Sequence, residues 1–347
     1  MKSPHHILVI RLSAMGDVAI AVPVLTQLLE TYPKLQITVL TKAFFAPLFQ
    51  HLSRVQVVKA EVKTRHKGIS GLWLLAKELH RLKIDAVADI HNVLRSRILC
   101  GFLKLMGHEY YRLNKGRSER KALTRPVNKV FKPLKPSYQR YIDVFEKLKL
   151  PLSKSIHVKR VQLSLDAEIN SILNLDRTQQ WIGIAPFAAH EPKQYPLSQM
   201  KKVISKLSQE KNLQIFLFGG GKVEEDKLNE TSKHHQNCQT VVGKFTFNQE
   251  LQLLSNLDLM LAMDSGNAHL AAMYGVKVVS IWGPTHPYTG FAPLGQTTEQ
   301  QVLPDLEKYP LLPTSIYGNK QIKGYENVMA DITHEAVVLK VKSNLKK

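Results

Sequence analysis

The chain has 347 residues, a formal net charge of +20 at pH 7 and 44% hydrophobic residues. Its length exceeds that of one typical domain, and its hydrophobic content excludes a disordered polypeptide. The basic surplus predicts a negatively charged partner, and nucleic acid, an anionic membrane and a phosphorylated substrate all qualify. The two isolated cysteines, Cys100 and Cys238, support neither a disulfide framework nor a zinc site, so a reducing compartment is expected.

The first half of the chain alternates predicted strands and helices. The strands are predicted at 7–10, 36–40, 55–58 and 86–90, and the helices at 18–30, 71–82, 94–105 and 137–148. Asp17 lies where the first loop becomes a helix, at the carboxyl end of the first strand. Ligands bind at such ends in open α/β sheets, although a plain helix cap is the alternative interpretation of Asp17.

A second series of strands and helices follows a polar stretch after Pro151. Its strands are predicted at 181–185, 214–218, 240–242, 259–263 and 278–281, and its helices at 197–209, 224–234, 248–255 and 267–274. Two such series predict two doubly wound parallel sheets. The predicted division is an amino-terminal domain 1–160, a linker 161–178, a carboxyl-terminal domain 179–332 and a final helix 333–347.

The segment that begins at Asp264, Ser265 and Gly266 predicts an anion site. It lies between an apolar strand and a helix of small residues. The first backbone N–H groups of a helix lack intrahelical partners, so they favour a phosphate or diphosphate. Gly266 permits close approach of a ligand, and Asp264 offers a carboxylate to sugar hydroxyls. The alternative is a helix cap with no ligand.

Four ordered motifs resemble those of glycosyltransferase family 9, the ADP-heptose:lipopolysaccharide heptosyltransferases. The opening pattern Arg-x-Ser-x-x-Gly-Asp-Val stands at 11–18, and the late pattern from Asp-Ser-Gly to Gly-Pro-Thr stands at 264–285. The two connecting motifs stand at 218–225 and 243–247. The resemblance implies a GT-B type α/β fold, with two doubly wound Rossmann-like domains facing a central cleft.

The resemblance also implies roles for individual residues. Asp17 matches the base that deprotonates the acceptor, and Lys193 matches the lysine that stabilises the leaving diphosphate. The expected donor-binding residues are Asp264, Ser265, Gly266, His269, Glu224, Glu225, Lys244 and Phe245. Either of the two glutamates meets the ribose, and a packed helix histidine is the alternative interpretation of His269. The expected acceptor-binding residues are Ser13, Gly16, Arg95, Arg112, Arg117 and Arg120.

The absence of several motifs excludes other kinds of nucleotide-binding site and argues against a metal-dependent reaction. No Gly-x-Gly-x-x-Gly follows the first strand, and the glycines at 219–221 do not form a P-loop. No Asp-x-Asp pair follows a strand, so we expect a mechanism without metal or cofactor. The resemblance to family 9 implies that the transfer inverts the anomeric centre. Ala188 and Ala189 stand where some heptosyltransferases carry hydroxyls near the donor phosphate, so the sugar on the nucleotide is left open.

The basic surplus concentrates in residues 101–160, which hold sixteen basic and four acidic residues. We expect this segment to bind an acidic lipopolysaccharide core, and we expect ADP-heptose as the donor. The rival is a non-catalytic protein that uses the same segment to bind nucleic acid or an anionic membrane. Against nucleic acid, aromatic residues are not interleaved as stacking platforms. The sequence contains no run of 18 uncharged apolar residues, so a cytoplasmic enzyme, peripheral to the inner membrane, is expected.

Overall fold

The computed structural model describes residues 3–345. Residues 1, 2, 346 and 347 lie outside the described part, and they include the last two positions of the final helix predicted at 333–347. The chain folds into two compact units. The first unit comprises the residues up to Gly116 and Lys135–Ile156, and the second comprises Arg117–Leu134 and the chain from His157 onward.

Eleven strands occur within residues 3–345, and all pair in parallel. They are β1 His6–Ile10, β2 Gln36–Thr41, β3 Val55–Lys59, β4 Ala86–Asp89, β5 Glu109–Arg112, β6 Gln180–Ala185, β7 Leu213–Leu217, β8 Cys238–Thr240, β9 Leu259–Met263, β10 Lys277–Ile281 and β11 Gln301–Val302. The prediction of two doubly wound parallel sheets is confirmed, although the short edge strands β5 and β11 were not predicted.

The described residues also contain eleven α-helices. They are α1 Met15–Thr31, α2 Gly68–His80, α3 Leu94–Leu105, α4 Arg117–Thr124, α5 Ser137–Lys147, α6 Ala167–Leu173, α7 Leu197–Leu207, α8 Lys222–Ser232, α9 Phe247–Ser255, α10 Gly266–Met273 and α11 His334–Asn344. None of the helices within residues 3–345 is long and apolar enough to cross a membrane.

The central strands are almost continuously apolar because helices cover both faces of each sheet. In β1, Ile7 to Ile10 are fully buried, and all five residues of β7 and of β9 are buried. In the first unit, α2 and α3 pack against each other, and α1 packs against α5. Apolar side chains of α2 and α3 share one core cluster with Leu8 and Ile10 of β1, so these two helices cover the same face of the sheet.

Two segments depart from the division that the sequence predicts. Arg117–Leu134, placed by the sequence in the domain 1–160, packs within the second unit. The predicted linker 161–178 contains α6, whose Ile169 and Leu173 are fully buried. Both departures arise from long-range packing, which local periodicity does not report.

The chain order reverses at one point in each sheet. The first sheet has the order β3-β2-β1-β4-β5, and the second has the order β11-β10-β9-β6-β7-β8. The chain therefore turns back between the neighbours β1 and β4, and again between β6 and β9. At such a switch point the connections leave in opposite directions, which opens a crevice at the carboxyl ends of the two strands.

Candidate functional site

The switch point of the first unit holds Asp17 in an ion-paired network. Asp17 is in the first turn of α1, and its Oδ2 pairs with Nη2 of Arg11. Arg11 is 5% exposed and donates from Nη1 to the Ile90 carbonyl at 2.6 Å. Burial opposes the charge of Arg11, but Tyr141, Asp17 and Asp89 outweigh it and raise the pKa of Arg11. The carboxylate of Asp17 is thus held in place while its side chain stays 25% exposed.

A tyrosine from the end of the first unit completes this network. The Tyr141 hydroxyl lies 3.3 Å from the Asp17 carbonyl and 3.4 Å from Asp17 Oδ1, and the Arg11 guanidinium lies 5.7 Å from the centroid of the Tyr141 ring. The carboxylate of Asp17 therefore contacts both Arg11, the residue after β1, and Tyr141 of α5. A simple helix cap would need only local contacts.

His91 is a site residue that the sequence analysis missed. It is 7% exposed, and its Nε2 lies 3.4 Å from the Ser13 hydroxyl. Burial, with Arg11 and Lys115 nearby, lowers the pKa of His91 to about 3, so the ring is neutral. Its Nδ1 is buried without a hydrogen-bond partner in the described part of the chain. The signal available in the sequence is a polar residue just after an apolar strand.

Asp89, at the end of β4, shapes the loop that carries His91. Its carboxylate accepts the backbone N–H groups of His91 and Asn92 at 3.0 and 2.8 Å and the Ser96 hydroxyl at 2.9 Å. Burial raises the pKa of Asp89 above its usual range, although these hydrogen bonds oppose the shift. Asp89 therefore fixes the loop and the start of α3.

The expected acceptor residues are divided between the two units. Ser13, Gly16, Arg95 and Arg112 belong to the first unit, whereas Arg117 and Arg120 belong to the second. Arg95 and Arg117 are exposed, and Arg112 stacks on Tyr110 at 4.8 Å.

Arg120 has an internal role in the second unit. Its Nη1 donates to the Tyr317 hydroxyl at 2.8 Å, and its guanidinium lies 5.0 Å from the centroid of the Phe291 ring. The structure therefore gives Arg120 a packing role that the sequence analysis did not foresee.

The switch point of the second unit joins Lys193 and Asp264. Lys193 ends a short turn that follows β6, and Asp264 directly follows β9. Lys193 Nζ lies 3.0 Å from Asp264 Oδ2, with side-chain exposures of 12% and 9%. The two residues are 71 positions apart in the sequence, and the sheet brings them together. Such a shielded pair carries both charges that a sugar diphosphate needs, a cation for the phosphates and a carboxylate for hydroxyls.

The start of α10 lies beside this pair. Ser265 is the N-cap residue, but its hydroxyl makes no capping hydrogen bond. Its Oγ is buried without a hydrogen-bond partner among residues 3–345. Gly266 is the first helical residue, and His269 is 7% exposed one turn later. A buried hydroxyl that leaves its own helix uncapped is available to a ligand at the helix terminus.

The two glutamates of α8 have different surroundings. Glu224 Oε2 accepts the Gly220 backbone N–H at 2.7 Å, so this side chain closes the glycine loop that precedes α8. A Cβ atom added to Gly243 would lie 3.0 Å from Glu225 Cδ, so Glu225 lies against the turn before Lys244 and Phe245. In the structure Lys244 is exposed and Phe245 is half-buried. Glu225 is therefore the glutamate that lies with these two residues.

A loop near the carboxyl end supports Lys193. Gly318 has a φ of +70°, and a Cβ atom there would lie 2.0 Å from Lys193 Cδ. The backbone N–H groups of Thr314 and Ser315 both bond to the Pro284 carbonyl, at 3.0 and 3.2 Å. The loop thus packs its backbone directly on the lysine stem. The sequence analysis missed this contact because Gly318 is distant from Lys193 in sequence.

The described residues show no group of three His, Cys, Asp or Glu side chains arranged to hold a metal ion. Both cysteines are buried, and burial raises the pKa of the Cys238 thiol to about 12.

Comparison with known proteins identifies the family. A sequence model of glycosyltransferase family 9 (heptosyltransferase) matches residues 72–315. The chain belongs to this family. It is therefore a glycosyltransferase, which sets aside the non-catalytic alternative.

Similar proteins cover nearly the whole chain. Lipooligosaccharide heptosyltransferase 2 of Campylobacter jejuni is 24% identical over 333 residues, covering 94% of this chain and 95% of its own length. A family 9 glycosyltransferase structure from Veillonella parvula has a TM-score of 0.76 at 19% identity, covering 99% of this chain and 98% of its own. The E. coli heptosyltransferase WaaC, solved with ADP, has a TM-score of 0.68 at 18% identity, with coverage of 98% and 99%. These structures confirm the GT-B type fold class.

The contact between Gly318 and Lys193 generates a first prediction. We expect Gly318→Ala to displace the lysine and to lower the rate of sugar transfer by about tenfold or more, since a misplaced catalytic group loses much of its effect. The matched control is Gly295→Ala, because Gly295 has a φ of +80° but no atom within 4 Å of an added Cβ. Transfer rates of both variants are the measurement. Equal rates in the two variants would mean that the loop does not position Lys193.

Proposed function

We propose that this protein is a metal-independent, inverting heptosyltransferase that moves a heptose from ADP-heptose to the inner core of lipopolysaccharide. The names of its relatives support the sugar and the acceptor. The observation that carries the mechanism is the shielded Lys193–Asp264 pair beside the uncapped start of α10. These groups match the charges of a nucleotide-diphosphate sugar.

Departure of the diphosphate requires positive charge. Lys193 supplies a full charge, and the first N–H groups of α10 supply the positive end of the helix dipole. The unpaired Ser265 hydroxyl would donate a hydrogen bond to a phosphate oxygen. Asp264 would bind hydroxyls of the transferred sugar while it keeps Lys193 in place. No step of this scheme needs a metal ion.

The nucleoside would bind along α8 and the turn after β8. Glu225 is the better candidate for the ribose hydroxyls, because Glu224 already accepts the Gly220 N–H. Lys244 and Phe245 follow the turn on which Glu225 packs, and they would line the adenine. His269 lies farther along α10, and it would contact the phosphates from the helix.

The acceptor would bind to the first unit, where Asp17 acts as general base. Arg11 holds Asp17 Oδ2, so Oδ1 would accept the proton of the attacking hydroxyl. The neutral His91 ring and the Ser13 hydroxyl would hold other acceptor hydroxyls near this carboxylate. Direct attack by that hydroxyl as the diphosphate leaves inverts the anomeric carbon.

The acidic groups of a lipopolysaccharide core would meet Arg95 and Arg112, the exposed cations of the first unit among the expected acceptor residues. Gly16 lies in the first turn of α1, directly before Asp17. The acceptor is attached to a membrane, so we propose a cytoplasmic enzyme that binds the inner membrane peripherally. Nucleic acid is not an expected partner.

The first test concerns the base. We expect Asp17→Asn to lower the transfer rate by about a hundred- to ten-thousandfold, the usual loss when a general base is removed. ADP affinity should stay near that of the wild type, because the donor binds to the other unit. Asp143→Asn is the control, since Asp143 is an ion-paired aspartate of the same unit, 2.8 Å from Lys135 Nζ. A normal rate for Asp17→Asn would reduce Asp17 to a helix cap.

A second test concerns the leaving group. We expect Lys193→Ala to weaken ADP binding by about ten- to a hundredfold, because a charge-assisted contact is lost, and magnesium should not restore it. Lys308→Ala, which breaks an exposed ion pair with Asp331, is the control in the same unit. Calorimetric ADP titrations and transfer assays with EDTA are the measurements. Strict dependence of the wild type on a divalent cation would contradict the metal-free mechanism.

The acceptor charges supply a third test. We expect Arg95→Glu with Arg112→Glu to raise the acceptor concentration for half-maximal rate while ADP affinity is unchanged. Added salt should act in the same direction, because exposed charges are screened beyond about 10 Å at 0.1 M ionic strength. The control reverses Lys201 and Lys202, two exposed residues of α7. Arg120 is left intact because of its internal contacts. Equal acceptor requirements in both double variants would exclude these arginines from acceptor binding.

A further inference from the structure

The first unit exposes apolar side chains on the two helices that cover one face of its sheet. On α2, Ile69, Trp73 and Leu74 are 69%, 37% and 39% exposed. On α3, Leu94 and Leu105 are 75% and 79% exposed. Both helices already bury another stripe of apolar residues in the core, so these five side chains are not needed for packing against the sheet. We call this set the α2–α3 surface.

The two helices that carry the α2–α3 surface are in contact. The Trp73 ring packs edge-on against Phe102 of α3, with 5.1 Å between ring centroids. Residues 69 and 73 are one turn apart on α2, and residues 94 and 105 are three turns apart on the same side of α3. The exposed side chains therefore follow two adjacent helical stripes joined by an aromatic contact. Large exposed apolar patches of this kind mark interaction sites.

The stretch of chain that carries this surface is rich in basic residues. Residues 62–105 contain nine Lys and Arg against three Asp and Glu. The nine basic residues, all exposed, are Lys63, Arg65, Lys67, Lys77, Arg81, Lys83, Arg95, Arg97 and Lys104.

The three acidic residues of this stretch already have partners. Glu78 pairs with Arg65 and lies 3.3 Å from His66, and Asp85 accepts the backbone N–H groups of His5 and His6. Asp89 is buried. The field around the α2–α3 surface is therefore positive.

We infer that the α2–α3 surface binds the surface of an anionic lipid bilayer. Tryptophan and aliphatic side chains enter the boundary between headgroups and acyl chains, while Lys and Arg contact the lipid phosphates. Trp73 and Lys77, one turn apart on α2, show this arrangement. Lys77 Nζ lies 5.4 Å from the centroid of the Trp73 ring, so its charge lies at the edge of the apolar patch. A second copy of the chain is a poorer occupant. A two-fold contact would bring nine cations against nine like charges.

The inference rests on the proposed function in one respect: membrane binding would bring the enzyme to an acceptor that is attached to a membrane.

The test is co-sedimentation of the full chain with vesicles of phosphatidylethanolamine and phosphatidylglycerol, and with vesicles of phosphatidylcholine. We expect the wild type to bind the anionic vesicles preferentially and to release them as salt is raised. The triple variant Ile69→Ser, Leu94→Ser, Leu105→Ser should bind at least tenfold more weakly. The variant Lys77→Glu, Arg81→Glu, Lys104→Glu should lose the preference for anionic lipid.

The control variant changes three exposed apolar residues of the second unit, Ile172→Ser, Leu303→Ser and Leu339→Ser, and it should bind vesicles as the wild type does. Transfer to a deacylated, water-soluble acceptor should be unchanged in the triple serine variant of the α2–α3 surface, and this result would show that its fold is intact.

The inference is overturned if the triple serine variant of the α2–α3 surface binds vesicles as strongly as the wild type. A wild-type dimer that the same variant dissociates would instead assign the surface to a second copy. Vesicle binding without sugar transfer would remove the proposed function and leave the membrane surface standing.

Discussion

Reversal of strand order in a parallel sheet is the constraint on which both candidate sites depend. At β1 and β4, and again at β6 and β9, the chain leaves neighbouring strands in opposite directions. No helix can cover the carboxyl ends at those points, so polar side chains there remain open to ligands. Asp17 lies after β1, in the first turn of α1, and Asp264 lies directly after β9. The fold thus provides one ligand crevice on each unit before any side chain is specified.

Each crevice holds an ion pair, and the two pairs suit different tasks. In the first unit the cation Arg11 is buried and the carboxylate of Asp17 is partly exposed, so the carboxylate is presented to a ligand. In the second unit Lys193 and Asp264 are shielded to a similar degree, so a ligand can meet either charge. The first arrangement suits proton abstraction from an acceptor, and the second suits an anionic leaving group that carries a sugar. This difference underlies the assignment of acceptor and donor to the two units.

The local part of both sites could be predicted from the sequence, because a strand, a short loop and a helix leave a readable pattern around Asp17 and Asp264. The partners of these residues could not be read in the same way. Gly318 and His91 reach their sites through contacts that span many residues, so even the position of His91 after an apolar strand does not reveal its contact with Ser13. The same limit explains why the sequence pattern places Arg117–Leu134 with the domain 1–160, whereas this segment packs within the second unit. Hydrophobic periodicity indicates which face of a helix or strand is buried, but it does not indicate which other elements that face packs against.

The number of basic residues in a segment has the same limit as a predictor. A basic residue can bind an acceptor, hold segments of the chain together or give a surface its charge. Within 101–160, Arg140 is 5% exposed and donates to the Lys135 carbonyl at 3.0 Å, and Lys129 donates to the carbonyls of Leu311 and Pro313 at 2.9 and 2.8 Å. Burial lowers the pKa of Lys129 to about 8, a cost that is consistent with a structural lysine. These residues tie segments together and leave little charge for an acceptor. Part of the basic surplus in 101–160 is therefore internal, and all of the exposed cations around α2 and α3 except Lys104 precede that segment.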